Sequence, residues 1–385
     1  MNRAYILVNR YPNKFEPNLC VFIQQLVWSF ADLGIDCNVI APLPINLNLK
    51  YLLLPYKRYE KNENNKRIKI FHPRYISFGQ KGTFLQKTRV FCTTILYKIA
   101  VERVLKKEKK LDDNTFFYSH FIFPCGVVTG QLGHKYGVKS FMAHGEAIYG
   151  SNMKYTHKYL SESLGYLNGV IAVSSQNKNF LVNDGVVSPD KIKVFPNGYR
   201  KERFYKIDKK RARNHMKWMS DKFIVGFCGS FDERKGILRL QEAVDKIDGV
   251  YFACAGNGEL MPTSKKCILK TPINNDELVY FYNAIDAFVL PTQNEGCCNA
   301  IIEAMACGCP IISSDREFNY DILDDSNAIL VNPNDVDEIK NAIIKLKSNT
   351  NLMNKMSESS LIKSKKLTLK IRSKNIVDFI ESKMK

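Results

Sequence analysis

The sequence predicts an α/β chain built from two doubly wound, Rossmann-like parallel-sheet domains. Three observations carry that expectation. Short β-rich runs recur at the spacing of βαβ units, and several are almost uninterrupted apolar, β-branched runs, as strands buried on both faces must be. The rhythm stops once, in a polar, basic stretch from Arg200 to Asp221, and then resumes. A chain of 385 residues is also too long for a single core.

In chain order the first set of runs is AYILV (4–8), CNVIA (37–41), IKIFH (68–72), TFFYSHF (115–121), KSFMAH (139–144), GVIAVSS (169–175) and KIKVFP (191–196). The second is FIVGFCG (223–229), VYFACAG (250–256), KCILKT (266–271), AFVLPT (287–292), PIISSD (310–315) and AILVN (328–332). Helical patterns lie between them, as at Phe22–Leu33 and Ile237–Ile247. Turn residues at Pro196-Asn197-Gly198 mark a linker, which puts the first domain at 1–198 and the second at 199–364. The tail beyond 357 is helical in composition, and its last helix, about 365–385, is expected to cross back to the first domain.

Apolar content of 45% and charged content of 25% are ordinary for a globular chain. No apolar run approaches the ~18 residues that span a bilayer. The run Ala4–Val8 is too short for a signal peptide, so the expectation is a cytoplasmic protein. Eleven cysteines without a CxxC pair read as buried thiols in a reducing compartment. The net charge of +19 is uneven: residues 1–200 hold 28 Lys and Arg against 13 Asp and Glu, or +15, and the remainder 29 against 25, or +4.

The excess concentrates between Lys57 and Lys110, interleaved with aromatic residues. Nucleic acid, an anionic membrane surface and a polyanionic substrate are the partners such a half invites. No nucleic-acid-binding motif is present, so none is expected to bind. Phe84–Leu105, with Phe84, Phe91, Ile95 and Ile99 as apolar positions, reads equally as an interfacial helix on anionic lipid or as an ordinary packed helix with a basic face.

Open α/β sheets bind ligands beyond the carboxyl ends of their strands. After FIVGFCG come Gly229 and Ser230, then the adjacent cations Arg234 and Lys235 at a helix start, a setting for a diphosphate. After VYFACAG come Gly256 and Gly258, where backbone can approach a ligand closely. After AFVLPT comes QNEGCCNAIIEAMACGCP. Glu295 falls in the loop, Gly296 begins the turn, and Cys297, Cys298 and Asn299 open a helix whose first amides can receive an anion. Glu303 lies two turns in and leans back toward that end. Carboxylates accept hydrogen bonds only, so the two acids match hydroxyl pairs on either side of a phosphate. A sugar nucleotide has that order of groups.

Glu295-x7-Glu303 resembles the E-x7-E signature of family 4 retaining glycosyltransferases of the GT-B fold. The register of GSFDERKG (229–236), AGNGEL (255–260), FYNAIDAFVLPT (281–292), VFPNGYRKERF (194–204), RYPNKFEPNLCVFIQQL (10–26), SHFIFPCG (119–126) and MAHGE (142–146) is similar to the same family, over about residues 4–345. The resemblance implies two domains facing a central cleft. It implies that Glu303 binds ribose hydroxyls, Glu295 a hydroxyl of the donor sugar, and Lys235 with Arg234 the leaving diphosphate. His144 would face the donor sugar across the cleft, and His120 would shape the acceptor side. Many members carry Gly-Arg where this chain has Gly229-Ser230, which shifts phosphate binding onto Arg234 and Lys235. Asn18-Leu19-Cys20 replaces a common Gly-Gly, so no donor contact is assigned to that loop.

The implied reaction moves a glycosyl unit from a nucleotide diphosphate sugar, UDP-sugar favoured, to an acceptor hydroxyl with retention of configuration. No cofactor or metal is expected. The acceptor would be a glycan or lipid-linked, in bacterial surface polysaccharide, lipopolysaccharide or glycolipid assembly, with the enzyme peripheral on the anionic inner-membrane surface through segment 57–110. Domain closure over Pro196–Gly198 would exclude water. A GT-B sugar-nucleotide epimerase or a catalytically silent scaffold of the same fold are the other readings.

Overall fold

The structure, a computed structural model, describes residues 1–79, 86–108, 110–147, 157–219 and 221–384. Contacts divide the chain into two units, Met1–Phe195 with Ser373–Lys385, and Pro196–Arg372. The sequence reading draws these boundaries at 198 and near 365. Backbone bonds explain the different positions: the Tyr199 amide donates to the Leu367 carbonyl at 3.0 Å and the Leu369 amide to the Tyr199 carbonyl at 2.7 Å. The two crossover segments are thereby stitched to each other inside the second unit.

The first unit contains β1 (Arg3–Leu7), α1 (Val21–Asp32), β2 (Asp36–Ile40), β3 (Leu43–Pro44), β4 (Lys57–Lys61), β5 (Arg67–Phe71), β6 (Arg74–Tyr75), α2 (Gln86–Glu108), β7 (Thr115–His120), α3 (Val127–Tyr136), β8 (Lys139–His144), α4 (His157–Gly165), β9 (Gly169–Ala172), α5 (Ser175–Asn183) and β10 (Ile192–Val194). Its main sheet has the order β10-β9-β8-β7-β1-β2-β5-β4, and β3 pairs separately with β6. Every pair in the main sheet is parallel except β4 with β5.

All six residues of β7 are buried, as a central parallel strand covered on both faces requires. One core cluster joins Tyr5, Leu7, Phe71 and Phe117 of the sheet to Tyr97, Val101 and Val104 of α2 and Val128 and Leu132 of α3. A second joins Met142, Val170 and Ala172 to Leu160, Leu164 and Leu181 of the later helices.

The helix read at 84–105 is α2. Val90, Tyr97, Val101 and Val104 are its buried positions, whereas Phe91, Ile95 and Ile99 are exposed. Phe84 lies outside the described residues. Several cations of segment 57–110 are held internally: Lys57 by Glu108, Arg58 by Glu60, and Lys98 by Gln131.

The second unit contains α6 (Lys209–Met216), β11 (Phe223–Cys228), α7 (Ile237–Asp245), β12 (Val250–Ala255), β13 (Cys267–Thr271), α8 (Leu278–Ala284), β14 (Ala287–Leu290), α9 (Asn299–Ala306), β15 (Ile311–Ser314), β16 (Ala328–Val331), α10 (Val336–Ser348) and α11 (Thr350–Ser364). Its sheet, order β13-β12-β11-β14-β15-β16, is parallel throughout. The final helix, α12 (Leu369–Met384), starts in the second unit and continues in the first. There Phe379 packs edge-on to Phe141 and Phe195 and sits so close to Gly169 that a Cβ on that glycine would lie 2.8 Å from its ring. No helix among the described residues is long and apolar enough to cross a membrane.

Candidate active site

The three central strands of the second sheet, β12, β11 and β14, release their chains into loops at one edge. The first two loops interlock. Phe231 donates its amide to the Asn257 carbonyl at 2.7 Å and accepts from the Leu260 amide at 2.9 Å. A Cβ on Gly256 would fall 1.9 Å from the Gly229 carbonyl oxygen, and one on Gly258 would fall 2.4 Å from that of Phe231. Both glycines are thus required by close approach of backbone to backbone. Asp232 shapes the turn that follows, accepting from the Ser230 hydroxyl at 2.6 Å and from the Lys235 amide at 2.8 Å.

That turn delivers Arg234 and Lys235 to Glu295 of the β14 loop. The Lys235 ammonium and the Arg234 guanidinium both lie 2.6 Å from the same carboxylate oxygen, Oε1, which the Thr292 hydroxyl approaches at 3.1 Å. Arg234 also donates to the Asn294 carbonyl at 2.7 Å. The Lys235 side chain is 11% exposed. Burial alone would lower its ammonium, but charge interactions with Cys298 and Glu295 outweigh it and hold the group above its ordinary value. Burial pushes the Cys298 thiol up, so Glu295 is the working partner at neutral pH. Two cations share the Glu295 carboxylate beside the Gly229 turn, and the Asp232 carboxylate of the same turn also feels both of them.

Cys298 forms the N-cap of α9, where its sulfur, making no regular cap hydrogen bond, faces the Ala300 and Ile301 amides. Gly296 is buried beside it and Asn299 is exposed. Cys297 is turned to the crossover: Asn197 donates its side-chain amide to the Cys297 carbonyl at 3.0 Å and its backbone amide to the sulfur at 3.4 Å. On the helix, Glu303 accepts a hydrogen bond from the Tyr282 hydroxyl at 3.0 Å. Burial pushes its carboxyl up to about 7 against that bond.

In the first unit His120 and His144 end the adjacent strands β7 and β8. His120 is buried among the rings of Phe22, Tyr118 and Phe121. His144 is fully buried, with Nδ1 2.6 Å from the Glu146 carboxylate and Nε2 3.3 Å from the Asn177 side-chain amide. The Nδ1–H donates to the Glu146 carboxylate, and Nε2 faces the Asn177 amide. Burial favours the neutral form of Glu146, but His144 and the Ile122 amide, 2.6 Å away, outweigh it and hold the carboxyl below its ordinary value.

Glu146, Tyr282 and Thr292 lie inside motifs quoted from the sequence but receive no role there, and Asn177 is not singled out. Glu146 was within reach, two residues beyond His144; the other three meet their partners only through the fold. Among the described residues no group of three or more His, Cys, Asp or Glu is placed to hold a metal ion.

The fold is of the GT-B type, and comparison with known proteins identifies the class as glycosyltransferase. Residues 208–361, within the second unit, match the family model described as Glycosyl transferases group 1. A putative teichuronic acid biosynthesis glycosyltransferase, TuaC of Bacillus subtilis, is 23% identical over 345 residues, 86% of each chain. An Escherichia coli UDP-Gal:alpha-D-GlcNAc-diphosphoundecaprenol alpha-1,3-galactosyltransferase is 28% identical over 215 residues, 50% of this chain and 55% of that one. Among solved structures, Anabaena Alr3699/HepE in complex with UDP superposes with a TM-score of 0.73 at 15% identity, covering 99% of this chain and 100% of that one.

Proposed function

We propose that this glycosyltransferase moves a sugar from a UDP-sugar to a lipid-linked acceptor in bacterial surface polysaccharide or glycolipid assembly, with retention of configuration and without a metal. The observation that carries the donor reading is the Arg234–Lys235–Glu295 cluster beside the start of α9, with Glu303 along the same helix. A diphosphate arriving there takes over the two cations from Glu295 and gains the α9 amides. Glu295, released from its ion pairs, accepts from a hydroxyl of the donor sugar, and Glu303 accepts from the ribose.

The bond from the anomeric carbon to the leaving phosphate oxygen breaks as the acceptor oxygen bonds to the same face of that carbon. The acceptor's proton passes to the departing diphosphate, whose growing charge Lys235 and Arg234 stabilise. In the first unit we assign His144 to the transferred sugar, with Glu146 as the residue that positions it, and His120 to the acceptor side. The substrates in the name of the E. coli relative, a UDP-sugar and a diphosphoundecaprenol acceptor, support the choice of substrates.

The deciding experiment has two arms. Thermal stabilisation by a panel of nucleotides and sugar nucleotides should single out uridine diphosphates, by about 2.7 kcal/mol at a hundredfold excess over Kd. Release of UDP should then require a lipid-linked acceptor. Stabilisation by another nucleotide alone would overturn the donor assignment. Release of UDP without any acceptor would point to hydrolysis or epimerase-like chemistry instead.

A further inference from the structure

We infer that the leucine turn at Leu47–Leu53 is an apolar wedge by which the first unit enters a lipid bilayer. The inference rests on the membrane reading above, but it places the contact outside segment 57–110 and gives it a different physical origin. Leu47, Leu49, Leu52 and Leu53 are 61%, 72%, 55% and 67% exposed, and Ile76 and Phe78 beside them are about half exposed. Isolated surface leucines need no explanation, but a cluster of this kind marks an interaction site.

The turn is held in this posture by specific bonds. The Asn48 side chain caps the Lys50 amide, and the Leu54 amide closes the turn onto the Tyr51 carbonyl. The Leu54 side chain is buried as an anchor, and the Arg74 guanidinium bonds the carbonyls of Leu54 and His72. Tyr51 donates its hydroxyl to Glu16 at 2.8 Å. Asn46 and Ser77 exchange two bonds of 2.7 and 2.9 Å, which set Ile76 and Phe78 next to Leu47.

Charge selects the occupant. Residues 37–59 contain Lys50, Lys57 and Arg58 and no acid, within a half that carries +15. A second copy of the same face would bring like charges together, whereas an anionic bilayer complements them. Position gives the wedge a use. Glu16 lies in the loop after β1, and Ser77 follows β6, which continues from the carboxyl end of β5, so the turn stands at the carboxyl edge of the parallel sheet where β7 and β8 end in His120 and His144. An acceptor held in the membrane by its lipid would meet the protein at this edge.

The test is co-sedimentation of the full chain with phosphatidylcholine vesicles, with and without phosphatidylglycerol, at low salt and at about 0.5 M salt, where screening removes the long-range attraction. The variants are Leu49→Ser/Leu52→Ser/Leu53→Ser and Leu52→Trp. Wild type should keep a salt-resistant bound fraction that the triple variant loses at least tenfold. Emission of the tryptophan variant should be quenched by brominated lipid beyond the wild-type level. An unchanged nucleotide-induced Tm shift certifies folding, since all three leucines are exposed. Equal binding of triple variant and wild type, with no extra quenching, overturns the wedge and leaves the membrane reading standing. So does a wild-type dimer in sedimentation velocity that the triple variant breaks, because the turn would then be covered by a second copy. Failure of wild type to bind any vesicle overturns both.

Discussion

At neutral pH the Glu303 carboxyl stands near half-protonation, because burial pushes it up to about 7. A carboxylate accepting from ribose hydroxyls binds as the ionised form, so nucleotide binding should release a proton. Affinity for UDP should therefore rise with pH through 7 and level off above it, by up to about tenfold per unit below. In Glu303→Gln the profile should be flat and the affinity lower, at about 1.5–3 kcal/mol per charged hydrogen bond. Stability should run the other way. The unfolded carboxyl, at 4.5, gives up its proton before the folded one, so this group costs stability as pH rises from 4.5 through 7. Glu303→Gln should melt higher than wild type at pH 8, and calorimetry with UDP titrations across pH 6–8 checks both halves.

Lys235→Ala should lower turnover ~10²–10³-fold while melting near wild type, as loss of one charge-stabilising contact at a leaving group does; equal turnover would remove it from the site. Glu146→Gln keeps a hydrogen-bonding shape but removes the charge facing His144. Its kcat should fall with little change in the nucleotide-induced Tm shift, and a merely structural role would lower Tm instead.

At the scale of elements, the strands that read clearly from sequence are those buried on both faces, such as β7 and β12, where apolar side chains are the only economical filling. β4 did not read at all. Its sequence, KRYEK, packs inward through charge and polarity: Glu60 accepts from the Tyr11 hydroxyl at 2.6 Å, the Trp28 indole at 2.9 Å, and Gln24 and Arg58 at 3.2 Å. Hydrophobic periodicity cannot detect a strand whose inner face is a hydrogen-bonded hub. The site divides in the same way. Glu295 and Glu303 read from their spacing on a helix start, whereas Tyr282 and Thr292 acquire partners only when β14, α8 and α9 are assembled. The glycine turns read as permissive, but the reason for them is the interlocked pair of loops. Gly256→Ala would force a methyl group against the Gly229 carbonyl, so it should destabilise by more than about 1 kcal/mol and weaken nucleotide binding with it. Urea unfolding checks the first effect, and an unchanged midpoint would mean that the loops part easily.

Across the whole molecule, charge and chain order matter more than any contact. With +15 on residues 1–200 and +4 on the rest, any attraction to an anionic surface should come from the first half. The component of vesicle binding that depends on anionic lipid should decline steeply as salt passes the point where the screening length is ~10 Å, and replacing the lysines of segment 57–110 with glutamine should remove it. Residues from Ser373 onward belong to the first unit, and Phe379 fills the space against Gly169, Phe141 and Phe195. Domains generally fold as they leave the ribosome, amino-terminal ones first. Here that order is strained: the two core clusters of the unit begun first are built before residue 195, but the space against Gly169, Phe141 and Phe195 stays unfilled until Phe379 of α12 emerges, after the second unit has been synthesised. A nascent first unit therefore waits with an open aromatic socket, and the second unit becomes the earlier of the two able to finish.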